Sequence, residues 1–254
     1  MKITILGTGT SQGVPVVGCH CEVCISRDTR DKRRRPAVLV QHKNTNLIID
    51  IGPDFRNQML DHFPGKLNAV LLTHEHNDHT AGLDDIRPFN FKYDMNIPIY
   101  GLPRVLENLE RRFSYIFSSQ KYPGIPRISL KPIRPWDEYE IQDVTVLALP
   151  VQHGGLPILG YCFEGFAYLT DVKKLNEKVV NQLMGIKVLV ISALHHNKHH
   201  SHMNLNEALA LVSKLQPEQV YFTHMSHSMG LHKKIESRLP LNVKLAYDGL
   251  IIDV

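Results

Sequence analysis

The chain reads as an α/β protein in which two sheets lie face to face with helices on the outside. Three observations predict this. Short apolar runs recur from one end of the sequence to the other, as in Ile3-Thr4-Ile5-Leu6, Ala69-Val70-Leu71-Leu72 and Val188-Leu189-Val190-Ile191, the composition of buried strands. Helical stretches alternate with them; Asn204-Leu205-Asn206-Glu207 opens one with a capping box, an Asn and a Glu three residues apart. Polar residues then follow the runs at their carboxyl ends: His74, His153, Asp171, Ser192 and His224. In sheets covered by helices the loops at those ends share one rim, where ligands gather.

The elements follow in order. A strand over 2–6 leads into Gly7-Thr8-Gly9-Thr10-Ser11-Gln12-Gly13. That loop has neither a Gly-Lys-Ser/Thr ending nor dinucleotide spacing, so it reads as a tight turn whose backbone passes close to something. Residues 37–41 and 46–51 form a hairpin, and Pro53 suits the first turn of a helix. Segment 84–93 is helix or loop, 97–100 a short strand and 103–113 an amphipathic helix. The proline-studded stretch 122–135 is a loop and the natural place for a lid. Strands over 144–149, 160–164 and 167–170 precede a helix over 176–184 and a buried strand over 187–192. A helix to Leu215, a strand over 219–223, a short helix over 231–239 and strands over 243–247 and 250–254 follow.

With 254 residues and no linker or low-complexity tract, the sequence is expected to form one domain, 1–254. Hydrophobic residues at 43% and charged ones at 21% are ordinary for a globular protein, and a net charge of +4 falls short of a nucleic-acid coating protein. The basic run from Arg27 to Arg35 reads as a solvated face or mobile loop, or else as an electropositive rim that steers a phosphorylated substrate. Met1-Lys2 leads straight into a strand and no apolar run is long enough to span a bilayer; the expectation is no membrane and a cytoplasmic location. Three of the four cysteines fall in Cys19-His20-Cys21-Glu22-Val23-Cys24, a spacing that points to metal binding in a reducing compartment. Cys162 reads as a small buried hydrophobe.

Histidine is the anomaly, with 15 in the chain. The densest group is Thr73-His74-Glu75-His76-Asn77-Asp78-His79, directly after an apolar run. In extended or turn geometry His74 and His76 point to one side, and Asp78 and His79 reach the same spot one turn later. Imidazoles with a hard carboxylate and no thiolate suit zinc, manganese or iron. Alone, His153 would be an ordinary surface or core histidine and Asp171 a turn or cap residue. Their position at strand ends beside the dense cluster raises both to metal ligands.

The ordered set His74, His76, Asp78, His79, His153, Asp171 and His224 resembles that of the metallo-β-lactamase superfamily, over nearly the whole chain. The resemblance implies an αββα sandwich of two mixed sheets with a dinuclear site on the edge between them. It implies that His74, His76 and His153 hold one divalent cation, that Asp78, His79 and His224 hold the other, and that Asp171 bridges them. Asp50 matches an aspartate that supports the site from a neighbouring strand. The run from Gly7 to Pro15, followed by Cys19, Cys21 and Cys24, is similar to the branch that includes the cyclic phosphodiesterase of bacterial phosphonate breakdown. There, three cysteines and a histidine just after the last ligand hold a structural zinc, and His227 stands in that place. Three thiolates and an imidazole make a closed tetrahedral site.

The expected chemistry is hydrolysis of a small, cyclic or nucleotide phosphodiester by a metal-bridging hydroxide, with Asp78 and His202 as the catalytic residues. His202, just ahead of the helix that starts near Asn204, resembles the family position that supplies a proton or binds phosphate, with His195, His196, His199 and His200 as rivals. Oxygen- and nitric-oxide-reducing diiron relatives carry glutamate where His76 stands, which favours hydrolysis. RNA-processing endonucleases of the superfamily carry an arm between the equivalents of His153 and Asp171; that interval already holds a hairpin here, so no arm fits. The alternatives are such an endonuclease acting on short nucleic acid, a thioester or lactone hydrolase, and a non-catalytic nucleic-acid-binding module. A homodimer is expected by analogy.

Overall fold

Alternating burial sorts the strands into two sheets, as seen in a computed structural model that describes residues 1–119 and 122–254. The first sheet holds β1 (Lys2–Gly7), β2 (Ala37–His42), β3 (Thr45–Ile49), β4 (Ala69–Leu71), β5 (Ile97–Gly101), β6 (Ile128–Pro132) and β14 (Leu250–Asp253), in the order β14-β1-β2-β3-β4-β5-β6. The second holds β7 (Glu138–Ile141), β8 (Val144–His153), β9 (Leu156–Phe163), β10 (Phe166–Leu169), β11 (Val188–Ser192), β12 (Gln219–Thr223) and β13 (Val243–Leu245), in the order β13-β12-β11-β10-β9-β8-β7. Both are mixed. The chain-local pairs β1–β2–β3 and β7–β8–β9–β10 are antiparallel, while β3–β4–β5–β6 and β10–β11–β12–β13 are parallel and joined by crossovers.

Because side chains alternate along a strand, each sheet has two apolar faces and the molecule has three layers of core. Ile3, Ile5, Val38, Val40, Leu47 and Ile49 of the first sheet meet Tyr161, Phe166, Tyr168, Val188 and Val190 of the second. The outer face of the first, with Leu39, Ile48 and Val70, is covered by α1 (Phe55–Asp61), α3 (Arg87–Tyr93) and α4 (Pro103–Arg112) through Phe55, Phe89, Val105 and Leu109. Ile191 and Phe222 on the outer face of the second sheet pack against Val179 of α6 (Glu177–Leu183) and Val212 of α7 (Leu205–Leu215). This is the αββα sandwich expected. The capping box of α7 is present, Asn204 accepting from the Glu207 amide and Glu207 accepting from the Asn204 amide.

Several local expectations are corrected. Pro53 lies before α1, which begins at Phe55; the Asp54 carboxylate caps no helical amide and instead accepts from the Arg35 backbone at 2.8 Å and faces its guanidinium. The stretch 122–135 is not all loop, since β6 runs through it as an edge strand. Residues 122–128 line a cavity with Phe91, Ile116 and Phe117, and none of its lining residues is a histidine. Most of the basic run 27–35 is engaged in pairs, while Arg27 is exposed. Arg30 pairs with Asp28, Lys32 donates to the Cys24 carbonyl, Arg34 pairs with Asp61 and Arg35 with Asp54. Arg33 is buried, donating to Thr8 Oγ1, the Ala246 carbonyl and His232 Nδ1.

Candidate metal centre

The loop after β4 is held from both sheets. Leu72 donates its amide to the Tyr100 carbonyl at 2.8 Å, and the Thr73 carbonyl accepts from Leu159 of β9 at 3.0 Å. A single turn of helix, α2 (Asn77–Thr80), then presents Asp78 and His79 inward. Gly52 is required behind it: a Cβ there would lie 1.9 Å from the Asp78 carbonyl oxygen. From the far side, α4 clamps the loop. Arg104 pairs with Glu75, and Arg112 donates to the Glu75 carbonyl, to Thr80 Oγ1 and to Asn77.

Every residue expected at the dinuclear site is brought to one place. The ligating atoms of His74, His76, His153 and Asp171 all lie within 4.8 Å of one another, as do those of Asp78, His79 and His224. Asp171 stands between the groups and turns one oxygen to each. Its Oδ2 lies 3.8 Å from both His74 Nε2 and His153 Nε2, whereas its Oδ1 lies 3.0 Å from His224 Nε2 and 3.6 Å from His79 Nε2. His76 approaches through Nδ1, 2.9 Å from His74 Nε2.

Hydrogen bonds behind the rings turn the coordinating nitrogens inward. His79 Nδ1 meets Asp50 Oδ2 at 2.6 Å, and His153 Nδ1 donates to the Ser201 carbonyl at 2.9 Å. His74 Nδ1 meets Thr73 Oγ1 at 3.0 Å, and that hydroxyl in turn donates to Asp50. Each bond places the proton on Nδ1 and leaves Nε2 free for a cation. Asp50 therefore supports both groups, as expected of it; Thr73 and the Ser201 carbonyl carried no sequence signal. Ser192 is no ligand: its hydroxyl accepts from the Val172 amide at 2.9 Å and pins the residue after Asp171.

The donor set fits divalent cations. His79 Nε2 and His224 Nε2 are buried and make no hydrogen bond, although carboxylate oxygens stand near both, and an unsatisfied buried nitrogen costs about 1–3 kcal/mol unless something binds it. Burial would raise the Asp171 carboxyl, but His224, His79 and His74 together hold it below the ordinary carboxylate range. Burial opposes a charge on His79, yet Asp78, Asp50 and Asp171 outweigh it and raise its pKa well above the usual imidazole value. His74 is driven the other way, chiefly by burial and then by His79.

His202 joins the site. Its ring lies 4.6 Å from that of His153 and stacks on His224 at 5.0 Å, and its buried Nδ1 has no hydrogen-bond partner. Burial first, then His224, pushes its pKa down to about 3. With Thr10, Ser11, Gln12, His195, His199 and Ser226 it lines a cavity of about 370 Å3 beside the second group. His196 and His200 are exposed, and His196 bonds the Met229 carbonyl. The glycine-rich loop thus forms one wall of the cavity. It is tied to the His224 loop by the Met225 amide, which donates to the Thr8 carbonyl at 2.9 Å.

A second cluster stands apart: the sulfurs of Cys19, Cys21 and Cys24 lie 3.3, 3.4 and 3.6 Å from His227 Nδ1. Four such atoms around one point suit a tetrahedral zinc without an open position.

Fold and site together define a hydrolase of the metallo-β-lactamase class with His/Asp metal-binding groups. Residues 45–225 match the family model described as "Beta-lactamase superfamily domain", and the chain belongs to that family. It is 38% identical over 257 residues to a Porphyromonas gingivalis protein named octanoyltransferase, the match covering 100% of this chain and 52% of that protein. The chain therefore spans about half the length of this relative. Among solved structures it is similar to a diphosphatase from the PhnP family, with TM-score 0.92 and 36% identity over 99% of this chain and 96% of the other. It also shares its fold with Zn2+-bound PqqB from Methylobacterium extorquens, with TM-score 0.83 and 18% identity over 100% of both chains.

Proposed function

We propose that this chain is a phosphodiesterase that uses two divalent cations to hydrolyse small phosphodiesters. The observation that carries the reading is Asp171, whose two oxygens face two separate ligand groups. Bound there, a pair of zinc, manganese or iron ions would lower the pKa of water and draw on the phosphoryl oxygens. The protein orients the reaction. The Asp50–Thr73 relay keeps the imidazoles directed inward, and Asp78 faces the Nε2 atoms of His79 and His224 as a carboxylate of the second group. His202 stands where its neutral imidazole can hydrogen-bond the phosphate; it can hand a proton to the leaving oxygen only once a bound phosphate anion offsets the burial that depresses its pKa.

The adjoining cavity of about 370 Å3, where hydroxyl, amide and imidazole groups stand beside Leu194, supports a compact substrate. Likeness to a protein whose structure is titled a diphosphatase supports phosphorus as the centre attacked. A short nucleic acid is disfavoured: only β9 and β10 lie between His153 and Asp171, and the arginines that would draw it are paired. A second reading, hydrolysis of a thioester or lactone, draws on the relative named octanoyltransferase. The likeness to the PhnP-family diphosphatase covers 96% of that chain, against 52% of the relative named octanoyltransferase, which places this reading behind the first. The Cys3His cluster is proposed as a structural zinc in a cytoplasmic protein.

The test is a substrate panel of aryl phosphodiester, matching monoester, cyclic phosphates, short RNAs and thioesters, with added manganese or zinc. Metal-dependent turnover of the diester well above the monoester is expected; preference for an acyl substrate would overturn the reading. Asp171→Ala should abolish turnover yet leave folded protein holding about one zinc in the Cys3His cluster, read by circular dichroism and metal analysis.

A further inference from the structure

We propose that Thr170 is the positioning residue that sets which oxygen of Asp171 faces which ligand group, and thereby the affinity for the second cation. The proposal rests on the dinuclear reading above. Thr170 follows the last residue of β10 and is fully buried, and its Oγ1 donates to Asp171 Oδ1 at 2.7 Å. That oxygen is the one turned toward His224 and His79. The carboxylate torsion is broad and two-fold, so burial alone does not choose between a plane that splits the oxygens across the two groups and one that gives both to one group. Among the described residues, Thr170 is the one that donates a hydrogen bond to this carboxylate.

The backbone adds to the argument. Asp171 sits at φ +55°, a strained setting, and the next amide is pinned to Ser192 Oγ at 2.9 Å. Main chain and side chain are thus held separately, the first by β11 and the second by Thr170. A strand end in an apolar interior asks only for a β-branched residue, and valine would serve that need with the same shape. The hydroxyl is what valine lacks. It also leaves one lone pair of Oδ1 engaged and the other free for a cation, so the hydrogen bond and coordination are compatible.

The experiment compares wild type with Thr170→Val, Thr170→Ala and Thr170→Ser, stripped of active-site metal and titrated calorimetrically with zinc and with manganese. Supports of this kind change metal affinity by about 10–100-fold. Two cations are expected at the imidazole site of the wild type. In the Val and Ala variants the second should bind at least about tenfold more weakly while the first is unchanged. Ser should restore wild-type binding. The metal-stripped Val protein should melt with the wild type, separating positioning from stability; should Val not fold, the Ala variant carries the comparison. Wild-type affinity for the second cation in Val or Ala, or failure of Ser to restore it, would overturn the role of Thr170. A wild type that takes up only one cation at these imidazoles would overturn the dinuclear reading itself.

Discussion

Asp50, Asp171 and His224 all sit at positive φ, at 63°, 55° and 56°, where a residue with a side chain costs about 1–3 kcal/mol. The strain is tolerated because each backbone is held by neighbours; for Asp50 the amide donates to the Leu71 carbonyl at 2.9 Å. Asp50 accepts from the Thr73 amide, the Thr73 hydroxyl and His79. Asp50→Asn removes the charge that holds the His79 tautomer, and metal affinity should fall by about 10–100-fold, measured by competition with a chromophoric chelator. Asp248 makes a second prediction. Burial, only partly offset by the Arg34 amide and Thr8, raises its pKa to about 6 from an ordinary 3.8. The folded protein therefore holds a proton that the unfolded chain has released, so this group's contribution falls as pH rises from about 4 to about 6. Relative to wild type, Asp248→Asn should grow more stable across that window, as read by urea unfolding at fixed metal concentration.

Among the elements, α7 follows directly on the loop that carries His202, and its start is set by the Asn204 capping box and by Lys173, which pairs with Glu207. Asn204→Ala should cost about 1 kcal/mol of stability, measured by denaturant titration. The box was legible because it is local: two side chains close on amides within four residues. β7 was not. Its Glu-Tyr-Glu-Ile run lies at the edge of the second sheet with only Ile141 buried, so it lacks the apolar run that marked the inner strands. β6 was hidden by flanking prolines, tolerated because an edge strand leaves one side of its ladder unpaired.

For the whole molecule, distant parts of the chain are joined by two clusters, one half-buried and one buried. The Cys3His cluster ties the amino-terminal knuckle to the loop that also bears His224. Cys21→Ser should release one zinc and lower the melting temperature, because structural metal binding contributes folding free energy; equal melting losses in Asp171→Ala would contradict this division. Arg33 forms the other cluster, reaching Thr8, Ala246 and His232, while Asp31 accepts from the His232 amide. Burial lowers its guanidinium to about 10. Arg33→Met leaves the Ala246 carbonyl and His232 Nδ1 without this donor in the interior and should destabilise the protein by about 1–3 kcal/mol, read from the unfolding midpoint. Nothing in the run from Arg27 to Arg35 distinguished this arginine from its neighbours, because two of its partners, Ala246 and His232, lie some two hundred residues away.

The sequence by itself determined the strand-and-helix alternation, the face-to-face sheets and the dense donors from His74 to His79, since apolar periodicity, local capping and clustered ligands depend on near neighbours in the chain; that His153, Asp171 and His224 join them in two groups was what the family resemblance implied. Only the tertiary structure decided that Asp171 divides its oxygens between two groups, that Thr73, Thr170 and the Ser201 carbonyl hold the ligands in place, and that most of the basic run is spent on internal pairs. Those outcomes arise where strands from both sheets converge, and the direction of a side chain there is set by contacts between residues that are far apart in sequence.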